Sequence, residues 1–331
     1  MNVTDFAHDP RARAARDWAI SELKLQRPEF APASADASFR RYFRISEGAR
    51  SWVVMDAPPQ QEDCRPFLHV AALLHQAGLN APQIHAQDLE RGYLLLSDLG
   101  RQTYLNVIDA GNAETLFDAA IDALIRWQQA SRPGQLPPYD EALLRRELAL
   151  FPDWYVARHL QRQLTPAQAD TWRQACDVLV DRALAQARVY VHRDYMPRNL
   201  MIATPNPGVL DFQDAVYGPI SYDVVSLFKD AFLSWPEARV AAWAQRYWQR
   251  ARTAGLPVAD TLPAFMLDFD FMGVQRHLKV LGIFARINYR DGKPHYLKDT
   301  PRFIGYVREV AARHAELSGL LHLFDELGLH A

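Results

Sequence analysis

The chain has 331 residues, 49% of them hydrophobic and 23% charged, enough for a large core in two domains or one domain of two lobes. Lys plus Arg number 37 against 39 Asp plus Glu, so the formal net charge is -2 and no basic field exists to hold nucleic acid. Cys64 and Cys176 form no CxxC pair, which argues against a disulfide framework and a structural zinc site, and no apolar run approaches the ~20 residues of a membrane span.

The opening MNVTDFAHDPRARAARDW is charged throughout, so a signal peptide is not expected and a reducing, cytoplasmic setting fits. Behind Asp9 and Pro10, a cap residue and a favoured first-turn proline, residues 10–26 read as an amphipathic helix. Tyr42 to Ser46 and Trp52 to Ala57 flank Glu47-Gly48-Ala49 and predict a β-hairpin. A helix follows over 62–77, with Phe67, Val70, Ala71 and Leu74 on one face, and then strands over 83–89 and 93–96. This β-β-α-β-β order calls for antiparallel neighbours rather than a parallel dinucleotide-binding sheet.

Asp98-Leu99-Gly100 reads as the exit from this lobe. The expected division is 1–99 and 100–331, with a cleft near residue 100. The second part is mainly helical, with periodic segments at 113–130, 140–163, 165–187, 221–233, 236–254, 261–289 and 299–327. Short strands interrupt it at 189–191, 200–202 and 209–212, the last two joined by Pro205-Asn206-Pro207-Gly208. The expected fold class is α+β and protein-kinase-like, a small antiparallel β-rich lobe followed by a large helical one.

His192-Arg193-Asp194-Tyr195-Met196-Pro197-Arg198-Asn199 carries the chemistry. It matches H-x-D-x-x-x-x-N, with Asp211 twelve residues further on in Leu210-Asp211-Phe212. Phosphoryl transfer needs one carboxylate to take the proton of the attacking hydroxyl, here Asp194. It also needs a carboxylate and an amide oxygen to hold magnesium, here Asp211 and Asn199. Taken singly, His192 reads as a core histidine, Asn199 as a turn residue and Asp211 as a strand-end cap; their order between short strands favours a kinase. Asp223 caps the next helix by sequence, and could also hold backbone amides of the catalytic loop; either role is structural. A helix starts so soon after Asp211 that no long regulatory loop fits between, and a protein substrate is not expected.

No GxGxxG and no GxxxxGK occurs. The third strand should supply a phosphate-binding lysine, yet Met55 or Asp56 falls there, and Lys24 is the only lysine of the first lobe. Either Arg40, Arg41 or Arg44 substitutes, or magnesium and backbone amides carry the load. The phosphate cover would be the Ala35–Phe39 turn, including Ser38.

The stretches VHRDYMPRNLMI, GVLDFQDAVYGPISYDVVSLFKDAFLSWP and QRHLKVLGIFARINYRDGKPHYLKDTPRF resemble the aminoglycoside phosphotransferase and choline kinase superfamily. The resemblance is closest to the anomeric amino-sugar kinases of bacterial cell-wall recycling and runs from Ala37 to Phe303. It implies ATP- and magnesium-dependent phosphorylation of N-acetylmuramate and N-acetylglucosamine at the C1 hydroxyl, toward UDP-sugar precursors. It also implies Asp194 as base, Asn199 and Asp211 as metal ligands, and Asp98 and Leu99 at an adenine-facing hinge. On the acceptor side Asp194, Arg198, Asp214, Arg276 and Lys279 are candidates, since a lactyl carboxylate favours a cation nearby. Arg276 and Lys279, three apart, read equally well as a helix surface pair. Trp154, Tyr155, Trp235 and Trp248 read as core more readily than as sugar-stacking rings. An aminoglycoside or other, choline-type small-molecule kinase of the same fold is the second reading; the near balance of charge over 262–331 argues against the acidic region that a polycation needs, and leaves room for a local acidic pocket. A catalytically dead nucleotide binder is the third, motivated by the missing lysine.

Overall fold

The computed structural model describes residues 9–34 and 39–330. They fall into two compact units, one of Met1–Ala110 with Arg198–Asp214 and one of Gly111–Pro197 with Ala215–Ala331. The segment carrying Asn199 and Asp211 therefore packs with the first unit.

In the first unit, helix α1 (Pro10–Leu23) starts at Asp9, whose carboxylate accepts the N–H groups of Arg11 and Ala12. Strands β1 (Glu29–Ser34), β2 (Arg41–Glu47) and β3 (Arg50–Asp56) precede α2 (Arg65–Gln76), and β4 (Ile84–Asp88) and β5 (Tyr93–Ser97) precede α3 (Tyr104–Val107). The sheet is antiparallel throughout, in the order β1-β2-β3-β5-β4. The leading helix and both hairpins stand where the sequence places them. The edge strand β1 is an addition. Its Pro32 lies at a register shift, which only an edge strand tolerates, and its short Glu-Phe-Ala-Pro-Ala-Ser run gives no alternating signal.

Strand alternation assigns the faces. Ala12, Ala15, Trp18 and Ala19 of α1 pack with Phe43, Ile45, Val54, Tyr93 and Leu95. Asp56, two residues beyond Val54, shares that face, so Met55 points to the other. Met55, fully buried and uncharged, thus lies on the face away from α1, and Asp56 on the face toward it.

The second unit holds α4 (Ala113–Gln129), α5 (Glu141–Leu148), α6 (Pro166–Ala185), α7 (Tyr222–Phe228), α8 (Glu237–Thr253), α9 (Leu262–Asp291), α10 (Thr300–Arg313) and α11 (Ser318–Glu326). Two expected helices break. The 140–163 segment divides into α5 and a π-helix over Phe151–His159, where Pro152 removes an N–H from the ladder. Gly282 of α9 takes the backbone of Leu150 at that break, since a Cβ there would stand 2.3 Å from the Leu150 carbonyl carbon. The 299–327 segment breaks at His314, which has extended backbone. Strand Arg188–Val191 pairs antiparallel with Val216–Pro219, a strand absent from the sequence expectation. Among the described residues no helix is long and apolar enough to cross a membrane.

Candidate active site

Strand Arg188–Val191 delivers the chain into His192-Arg193-Asp194. His192 is buried, and its Nδ1 accepts the Asp194 N–H at 3.3 Å. Asp223 accepts the N–H of His192 at 2.7 Å and that of Arg193 at 3.0 Å, one on each carboxylate oxygen. Of its two sequence roles, the loop clamp is the one found. Ser221 stands at the N-cap of α7, and Asp223 lies inside the first turn, fully buried. Burial pushes the Asp223 carboxyl up to about 7, against the pull of the two amides and Arg276. Arg193 has φ 75, a left-handed value rare for a side chain without local hydrogen-bonding capacity. Asp194 follows, half-buried.

In the first unit, a 3-10 turn over Pro197–Asn199 leads into a short hairpin with Leu200 opposite Val209 and Met201 opposite Gly208. Leu210 N–H donates to the Asn199 carbonyl at 2.9 Å. These contacts bring Asn199 Nδ2 to 3.4 Å from Asp211 Oδ2, the juxtaposition that the twelve-residue spacing predicts. The expected strand over 209–212 stops at Val209, because Asp211 turns left-handed with φ 62. Gln213 Nε2 donates to Asp211 Oδ1 at 3.0 Å and to Asp214 Oδ2 at 3.5 Å, while Phe212 packs on Phe67 of α2. One carboxylate beside one amide oxygen is a hard oxygen set that suits magnesium. Among the described residues no group of three or more His, Cys, Asp or Glu could hold a metal ion, so an imidazole- or thiolate-rich site is not available. Arg198 is half-buried beside this pair and Asp214 is exposed.

Of the residues expected around the nucleotide, Ser38 lies outside the described residues. Arg40 stands 3.8 Å from Glu62. Arg41 lies on the α1 face, where it grips Asp9 and the buried Asp56 carboxylate, which Arg11 also meets at 2.6 Å. Arg44 lies on the Met55 face, but its guanidinium forks onto Asp98 at 2.6 and 2.9 Å and reaches the Gly100 carbonyl at 2.7 Å. Arg44 and Asp98 thus satisfy each other. Leu99 packs at Gly208, where a Cβ would stand 2.9 Å from its Cδ1.

Arg276 and Lys279 are corrected. Neither lies on the helix surface: their residues are 2% and 6% exposed. Arg276 donates to the Lys229 carbonyl at 3.4 Å. Lys279 Nζ reaches Glu147 Oε1 and the Tyr222 hydroxyl, both at 3.0 Å. Tyr155 stacks on Phe151, Trp235 packs edge-on to Trp243, and Trp248 donates to the Ala259 carbonyl at 2.8 Å, so these rings serve packing.

Glu147 is the residue that sequence reasoning missed. It lies on α5 as one more acidic helix residue, and no local signal marks it. It is nonetheless 4% exposed and meets Arg193, Lys279, Tyr139 and Gln275. Burial alone would raise its carboxyl; Lys279 and Arg193 outweigh that and hold it at about 2. A carboxyl depressed on folding contributes stability above its unfolded value, lost as pH falls through the folded one. Urea unfolding at pH 6 and pH 2.5 should therefore show an acid loss that Glu147→Gln reduces by about 2 kcal/mol. An unchanged pH difference would mean that Glu147 titrates normally.

A model described as the phosphotransferase enzyme family matches residues 29–262. The chain is 61% identical to a Pseudomonas aeruginosa protein named N-acetylmuramate/N-acetylglucosamine kinase, over 96% of this chain and 93% of that protein. A Neisseria meningitidis protein of the same name is 50% identical over 89% of each. Among solved structures, choline kinase LicA from Streptococcus pneumoniae is similar with a TM-score of 0.63 at 13% identity, over 91% of this chain and 98% of that one. ADP-bound aminoglycoside phosphotransferase APH(2'')-Ib follows with 0.61 at 13% identity, over 90% and 98%. At that identity the two structures establish the fold alone, and it is the kinase-like α+β fold expected from the sequence.

Proposed function

The chain belongs to the phosphotransferase enzyme family, and from that premise we propose that it transfers the γ-phosphoryl group of ATP to the anomeric C1 hydroxyl of N-acetylmuramate and N-acetylglucosamine. The observation carrying this reading is the name shared by relatives at 50–61% identity over most of the chain. Asp194, at the end of the loop clamped by Asp223, takes the proton of the acceptor hydroxyl as general base. Asn199 and Asp211 would hold magnesium, which when bound neutralises charge on the phosphates. The chain's own work is to orient: the hairpin sets the ligand pair, and His192 and Asp223 set the backbone around Asp194. With Arg44 bound to Asp98, phosphate charge falls to the cation and backbone amides. We place the reaction in the cytoplasm, on small-molecule partners, with no protein or nucleic-acid substrate and no membrane.

Coupled measurement of ADP release with magnesium-ATP and, separately, N-acetylmuramate, N-acetylglucosamine, kanamycin and choline tests this. Turnover with the two acetylated sugars only is expected, and proton and phosphorus NMR of the product would place the phosphate on C1. Turnover with kanamycin or choline instead would replace the acceptor assignment, and no turnover with any acceptor would leave a nucleotide binder without catalysis.

A further inference from the structure

Three charged side chains meet inside the second unit, Glu147 and Lys279 buried and Arg193 partly exposed. Glu147 Oε1 takes Arg193 Nη2 and Lys279 Nζ, the latter at 3.0 Å, and Glu147 Oε2 takes the Tyr139 hydroxyl and Gln275 Nε2, the latter at 3.3 Å. Lys279 also donates to Tyr222, whose ring packs edge-on to Tyr139 at 5.4 Å. The carboxylate is thus supplied by α5 and one of its two cations by α9. The other cation is the residue immediately before Asp194.

Burying such a set is costly, and apolar side chains of similar volume often pack as well or better. Its location suggests what it is for. Arg193 is left-handed, a conformation its side chain disfavours, and it is held at both ends. Its N–H is fixed by Asp223 from α7, and its guanidinium by Glu147 from α5. Two carboxylates on two helices therefore determine the backbone turn from which Asp194 projects. Kinases switched by phosphorylation obtain an arginine partner by adding a phosphate to a loop; here the anion is built into a helix.

We propose that Glu147 is a positioning residue: by pairing with Arg193 it fixes the left-handed turn that aims Asp194, and Lys279 is the second cation on the same carboxylate oxygen. This rests on the reading of Asp194 as the base. Loss of the pin should lower kcat and leave nucleotide binding alone, because it changes the aim of one carboxylate and removes no contact to ATP.

The test is steady-state kinetics with N-acetylglucosamine on Arg193→Gln, Glu147→Gln, their double variant and Arg193→Lys, with Tm for each. Each single Gln variant should lose about tenfold or more in kcat with KM for ATP within about twofold. The double variant should be no worse than either single, and Arg193→Lys should recover part of the loss, which a general weakening of the fold would not produce. Since Glu147→Gln takes the shared carboxylate charge from two cations, the triple Glu147→Leu/Arg193→Met/Lys279→Met covers the case in which it does not fold. Full kcat in the folded triple, or in a folded Arg193→Gln, overturns the proposal; reduced kcat at unchanged KM supports it. Asp194→Asn alongside separates the two ideas, because its retained activity would overturn the base assignment alone.

Discussion

Asp194→Asn should lower kcat with either acetylated sugar at least a hundredfold and leave the fold and ATP affinity in place. The substitution keeps the size of the side chain and removes its capacity to take a proton, a contribution worth 10²–10⁴ in rate for a positioned base. The loop is held through main-chain N–H groups on His192 and Asp223 and through the Arg193 side chain. The Asp194 charge pushes against Asp223 and favours the Arg193 and Lys279 cations, so its removal trades one repulsion against two attractions. Tm should therefore move by less than about 2 °C, the shift that ~1 kcal/mol produces in a chain of this size. The check is single-turnover phosphoryl transfer with saturating ATP, beside calorimetry and nucleotide titration. A folded Asp194→Asn protein that turns over within tenfold of the parent would remove the base assignment.

The chemistry-bearing motif was legible because it is local. His192, Asp194, Asn199 and Asp211 lie within one strand-turn-strand passage, and the 3.4 Å approach of Asn199 to Asp211 follows from a hairpin that residues 200–209 announce. The two hairpins around α2 were legible for the same reason. What a charged side chain already meets depends on partners distant in the chain. Arg41 and Arg44 carry the same charge three residues apart, and alternation sends one to the α1 face and Asp56, the other to Asp98. Lys279 reads as an available cation until Glu147 is seen beside it. Type and spacing describe what a side chain could do. Whether its charge is already satisfied is a tertiary fact, and in this chain three of the expected contact cations, Arg41, Arg44 and Lys279, are satisfied from within. The helix changes after Leu150 and at His314 escaped because a 3.6-residue period continues across both points.

Asp211→Asn is the complementary expectation, and its signature differs from that of Asp194→Asn. Asparagine is the replacement to use, because position 211 is left-handed at φ 62 and asparagine accepts that conformation, whereas alanine would add backbone strain to the lost charge. The side chain keeps its volume beside Asn199 and Gln213, so the hairpin and the Phe212 contact with Phe67 should stand. What goes is the only formal negative charge of the proposed ligand pair, leaving two neutral amides for a strongly hydrated dication. Turnover should fall about a thousandfold, the scale on which removing one electrostatic stabiliser of a transition state is felt. More specifically, the magnesium concentration for half-maximal activity should rise at least tenfold, whereas in Asp194→Asn the residual activity should saturate at the parental magnesium concentration. Binding of ATP without magnesium should be unchanged or slightly tighter, since a carboxylate facing the phosphates has been neutralised. Isothermal titration with and without magnesium, beside the activity titration, reads both quantities. A parental magnesium requirement in a folded Asp211→Asn protein would move the cation away from Asp211. The base assignment at Asp194 would still stand, so the two halves of the site can fail independently.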